Sequence, residues 1–62
     1  MADPRDIAEA VRRACLEAAL EAYDDAQIRG LCREGAWEVA IEAVRSLDVA
    51  AVIAATAGDK KD

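Results

Sequence analysis

Histidine and phenylalanine are absent from these 62 residues, and tryptophan, tyrosine and proline occur once each. Without histidine there is no imidazole base, no histidine-based triad and no histidine metal site. Two cysteines, Cys15 and Cys32, cannot make a four-ligand zinc site alone. They do not form a Cys-x-x-Cys pair, so a redox role has no motif behind it, and both read as small apolar residues. The longest uninterrupted apolar run, Val49 to Ala55, is too short to cross a bilayer. The opening residues, Met-Ala-Asp-Pro-Arg-Asp, lack the basic and apolar regions of a signal peptide. A cytoplasmic protein with reduced thiols is therefore expected. Nothing here calls for a cofactor, a metal or a catalytic set, and the chain is read as no enzyme.

What is present is alanine. Sixteen of the 62 residues are alanine, against four Ile, four Leu and five Val. A chain this short buries only about 60% of its unfolded surface, so its core is marginal. The net charge is −5. Both lysines, Lys60 and Lys61, sit among Asp59 and Asp62, so the acidity belongs to residues 1–58. Such a surface repels phosphate and anionic membranes. Direct nucleic-acid or membrane binding is not expected, and a functional partner would be a protein with a basic surface. Solubility alone is the plainer reason for a charge of this size.

Alanine, glutamate, arginine and leucine are helix formers, and no alternating strand pattern or hairpin turn occurs. The expected class is all-α: a compact bundle of three to four short helices over 1–58, with a disordered tail at 59–62. Asp3 is a cap and Pro4 suits the first helical position. Ile7, Val11, Ala14, Ala18 and Ala22 then share one face, while Leu16, Leu20 and Tyr23 form a second stripe. Glu9 and Arg13 stand at ion-pair spacing. Tyr23-Asp24-Asp25 reads as a boundary, followed by a second helix from about Asp25 to Glu34. Within it Gly30 marks close packing or a kink. Gly35 reads as a helix stop. Beyond it Trp37, Ala40, Ile41, Val44 and Leu47 form the best amphipathic stripe, Asp48 offers another cap, and a short apolar segment runs to Gly58. One helix or two over 36–57 is left open.

The stretch Gly35-Ala-Trp37-Glu-Val-Ala40-Ile-Glu resembles the turn and second helix of a tetratricopeptide repeat. In that family a glycine ends the first helix, an aromatic residue opens the second, and a small residue follows where the helices touch. Gly35, Trp37 and Ala40 match, whereas Ile28 stands where the family has a small residue. The resemblance covers residues 22–48 and implies an antiparallel helical hairpin. One repeat cannot bury its own faces, so it does not imply a peptide-binding groove. Asp3 to Ala8, with Gly30-Leu-Cys32 and Glu34-Gly-Ala-Trp-Glu38, also looks like short acidic bacterial proteins of mobile elements. Some of these carry an acetyltransferase label, but this chain has neither the sheet nor the phosphate loop of that fold. In size and charge it is similar to anti-CRISPR inhibitors.

Two groups of residues are expected to matter. Trp37, Ile41, Val44, Leu31, Ile28 and Gly35 are read as the structural core, with Leu20 beside them. Glu17, Glu21 and Asp24 form an acidic row on the first helix next to Leu16, Leu20 and Tyr23. The row is a solvated face in the ordinary reading. Its like charges one turn apart are mildly unfavourable, which leaves room for a docking role. The first helix is apolar around more of its surface than one hairpin covers, so a homodimer or a permanent partner is expected there. The function expected is that of a small acidic protein that binds another protein as inhibitor or adaptor. The alternative is a self-associating module or the small subunit of a larger complex.

Overall fold

The computed structural model describes residues 3–58, which form three α-helices and no strand. The expected tail at 59–62 lies outside the described residues. The all-α class is as expected. The shape is long and thin, with extents of 44 × 18 × 14 Å. The radius of gyration of 14.0 Å exceeds the about 11 Å of a rounded domain of this length.

Helix α1 runs Pro4–Ile28. Asp3 caps it, its carboxylate accepting from the Arg5 N–H at 3.0 Å, and Pro4 opens it. Glu9 pairs with Arg12 at 3.5 Å, where Arg13 was expected, and the pair is exposed. No break occurs at Tyr23-Asp24-Asp25, and residues 25–34 are not a helix of their own. Alanine, glutamate and leucine leading into Tyr23 propagate the helix, and either aspartate tolerates one more turn. Arg29 and Asp25, paired at 3.0 Å, staple that last turn.

The stop is Gly30, which adopts φ +94°. Its N–H donates to the Gln27 carbonyl and the Leu31 N–H to the Ala26 carbonyl, each at 3.0 Å. This is the Schellman arrangement, in which glycine takes the left-handed position after the helix. Gly30 therefore plays the part expected of Gly35. Cys32 caps the next helix, its Sγ accepting from the Gly35 N–H at 3.4 Å. Helix α2 runs Arg33–Arg45, so Gly35 lies inside its first turn. The hairpin turn is at Arg29–Cys32, and the hairpin is α1 with α2.

The two glycines make opposite predictions. A Cβ added at Gly35 meets Leu31 Cδ2 at 3.6 Å and Cys32 Sγ at 3.7 Å, which is ordinary contact. Gly35→Ala is expected to stabilise by up to about 1 kcal/mol. Gly30→Ala forces a side chain into the left-handed region and is expected to cost about 1–2 kcal/mol. Thermal melts of both variants check this, and a stabilising Gly30→Ala would refute the turn.

Helix α2 ends at the Ser46 cap. Asp48 then caps helix α3, Val49–Gly58, accepting from the Ala51 N–H at 3.1 Å. Residues 36–57 are thus two helices. Both α2 and α3 pack on α1 and not on each other. The long helix, about 37 Å by its rise, is faced by two shorter helices laid end to end. The result is an elongated molecule with a cross-section of 18 × 14 Å.

Among the described residues the buried ones are Ala26, Ala36 and Ala40, and no large side chain is fully buried. Alanine at these places lets the α1 and α2 backbones approach closely, and that closeness leaves no room between them for leucine or tryptophan. The expected core is corrected accordingly. Trp37 is 60% exposed, Ile28 is 82% exposed and Leu31 also faces solvent. Ile41, Val44 and Gly35 are half-buried at the edge of the contact, and Leu20 is exposed.

Candidate interaction surface

On α1, residues four and three apart share a face. Leu16, Leu20 and Tyr23 therefore line up along it, as the sequence suggests. Leu16 is 57% and Leu20 65% exposed, while Tyr23 is half-buried. Helix α3 lies on the Ile7 and Val11 side, where those residues are half-buried, and leaves the leucine stripe open.

Helix α2 adds what the sequence reading placed elsewhere. Trp37 follows Ala36 and precedes the turn carrying Ala40, so it stands at the flank of the alanine contact, beside α1. An apolar groove lies there, lined by Ala19, Leu20, Tyr23, Trp37 and Ala40. Two further recesses also have Trp37 as a wall. One is formed with Tyr23, Arg33 and Glu34, the other with Glu38, Ile41, Glu42 and Arg45. The indole is thus the central ridge of an open surface.

Glu17, Glu21 and Asp24 are all exposed. At 3.6 residues per turn they sit on the side of Leu16 and Leu20 that points away from α2. None of them takes part in the ion pairs among the described residues, which are Glu9 with Arg12, Asp25 with Arg29 and Glu42 with Arg45. The row therefore keeps its charge uncompensated next to the apolar stripe. On the α2 side the recesses carry charge of both signs.

No protein-family model, curated protein or solved structure matches this chain.

The arrangement suits contact with a macromolecule. An exposed tryptophan and a half-buried tyrosine beside two exposed leucines supply apolar area at little rotamer cost. The groove is shallow and open, unlike the enclosed clefts that hold small ligands. Among the described residues no cluster of three or more metal-ligating side chains occurs, and no helix is long and apolar enough to cross a membrane. Cys15 is half-buried and Cys32 exposed, both as free thiols.

Sequence reasoning named Leu16, Leu20, Tyr23 and the acidic row as a surface, of which the leucines and carboxylates are exposed, but put Trp37 in the core, where it is not. The usable signal was the Ala36-Trp37 and Ala40-Ile41 pattern. Two alanines one turn apart define the tight contact, and the large residue beside each is pushed outward.

Proposed function

We propose that this protein works by binding, without chemistry of its own. Its apolar face of Leu16, Leu20, Tyr23 and Trp37 is the docking surface for a protein partner. The observation that carries this reading is the exposure of Trp37 and Leu20 on one groove, with Leu16 exposed one turn away, and no large buried side chain among the described residues. A face of this size and composition, on one side of a thin molecule, is the usual mark of an interaction site. The row of Glu17, Glu21 and Asp24 beside it, with the net charge of −5, favours a basic partner and steers its approach. The action is then inhibition or bridging of that partner, in the cytoplasm. The resemblance to anti-CRISPR inhibitors and mobile-element proteins supplies one class of target, a bacterial protein with a basic nucleic-acid groove.

The second reading is a self-associating helical module. The open leucine stripe of α1 favours it, because a second copy presents the same stripe to cover it.

Trp37→Ala tests the reading. The indole is mostly in solvent, so its loss is expected to cost about 1 kcal/mol of stability or less, not the about 3–5 of a buried tryptophan. Binding is expected to fall by at least about 2 kcal/mol, the scale of an interface hot spot. Affinity capture with wild-type and variant chains, with a salt series, reads both. Equal capture by the two chains, or a collapse of helicity in the variant, would overturn the docking role of Trp37.

A further inference from the structure

We propose that a second copy of this chain covers the Leu16–Leu20 face, in a two-fold dimer with the α1 helices antiparallel. This rests on the second reading above, self-association, and leaves a basic partner the acidic rim instead of the leucine stripe.

The first ground is exposure. Leu16 is 57% and Leu20 65% exposed, with Trp37 60% exposed across the groove, so one side of α1 leaves a continuous apolar stripe for a partner to cover. The second ground is packing. Helices α2 and α3 pack on α1 and leave its Leu16–Leu20 side uncovered, so two copies stacked through that stripe make a bundle with helices on both sides of a core.

The third ground is the order of residues along α1. Arg13, Leu16, Leu20 and Asp24 follow each other at spacings of three, four and four, a stripe that starts with a cation, holds two leucines and ends with a carboxylate. Read in reverse it complements itself. A two-fold axis passing beside residue 18 brings Leu16 and Leu20 together with Leu20 and Leu16 of the second copy. It also sets the basic end of each α1, Arg12 and Arg13, beside Tyr23 and Asp24 of the other. Self-complementarity of one patch is what a two-fold interface requires. A basic partner helix would meet Arg12 and Arg13 at one end of the same stripe, which argues for the second copy as the occupant. In this dimer Glu17 and Glu21 of both copies line one rim of the seam, so the acidic surface offered to a basic protein is doubled.

Sedimentation equilibrium of the full chain, with circular dichroism alongside, tests this. The wild type is expected to be dimeric at micromolar concentration. Leu20→Glu, at an exposed position, is expected to be monomeric with unchanged helicity. Arg13→Glu is expected to weaken the dimer about tenfold through two symmetric contacts, and adding Asp24→Arg to restore it. A monomeric wild type overturns the dimer while leaving a hetero-partner on this face intact. A dimer indifferent to Leu20→Glu and to the charge swap also overturns it, and Val49→Glu then reports whether the exposed Val49 and Ile53 of α3 carry the contact. A dimer that behaves as expected but captures no basic partner keeps this inference and removes the acidic-docking reading.

Discussion

Ala36→Leu is expected to lower the melting temperature by about 20 °C. Ala36 has no exposed surface at all, and it stands one turn from the buried Ala40 on the same face of α2. A leucine there cannot point to solvent, because Ala36 lies at the centre of the α2 face turned towards α1. The helices must separate or the side chain must leave its preferred rotamers, and overpacking of this kind costs about 1–3 kcal/mol or more. A chain of this length has about 3–9 kcal/mol in all. A loss near 3 kcal/mol corresponds to the stated shift for a domain this small. Ala54→Leu is the control: Ala54 is exposed on α3, and the same three carbons there are expected to change stability by less than about 0.5 kcal/mol. Thermal melts of both variants check the contrast. If Ala36→Leu melts with the wild type, the alanine contact is not the core and the larger side chains must be reassigned to it.

The contrast explains why class was legible and packing was not. Helix-forming composition, the Asp3 cap with Pro4 behind it, and the Asp48 cap are local, and local chemistry decides them. Each appears in the structure where its residues predict it. The core depends on how near two helices come, and this is set by the residues between them, not by the largest apolar residues on each. The stripe Trp37, Ile41, Val44 does form one flank of α2. Its neighbour stripe, Ala36 and Ala40, wins the contact because smaller side chains allow a closer approach and satisfy more backbone van der Waals contacts. A hydropathy reading ranks tryptophan above alanine and so points to the flank. The candidate surface was half legible for the same reason. Leu16, Leu20 and Tyr23 are in excess of what one hairpin covers; the two leucines are open and Tyr23 is half-buried. Trp37 joined them only once the alanine contact was known.

The turn was missed on a different ground. Two glycines five residues apart both suit a helix end, and Gly35 had the better flanks, with Arg33 and Glu34 before it. The left-handed conformation is needed at only one of them. Gly30 takes it because Ala26 and Gln27 accept the two returning N–H bonds there and Leu31 then closes over the end. With the turn made at Gly30, Cys32 is in place to cap α2, and Gly35 becomes an ordinary first-turn residue. The Asp24-Asp25 pair, a strong cap signal by composition, is overruled by the continuity of the helix through it.

That continuity is the second large effect. Asp25→Pro is expected to cost about 3 kcal/mol or more. In the structure Asp25 is inside α1, one turn before the Gly30 stop. Proline there removes an intrahelical N–H and drives its ring against the carbonyl of Glu21, the residue four before it. It also pushes Asp24 out of the helical region. The last turn of α1 would come loose, and with it Ala26, which is fully buried, and the carbonyls that hold the Gly30 turn. The hairpin between α1 and α2 would lose its anchor. The other chain organisation, a boundary at Tyr23-Asp24-Asp25, makes the opposite prediction. With Asp24 as a cap, residue 25 would be the first helical position, where proline is favoured, and the variant would melt like the wild type or above it. Asp25→Ala separates the ring from the charge: it removes only the exposed pair with Arg29, 3.0 Å in the structure, and is expected to cost a few tenths of a kcal/mol. A steep loss of helicity in Asp25→Pro with a near-normal Asp25→Ala establishes α1 as one helix from Pro4 to Ile28. A stable Asp25→Pro would divide it at Asp24 and move the leucine stripe and Trp37 onto separate hairpins.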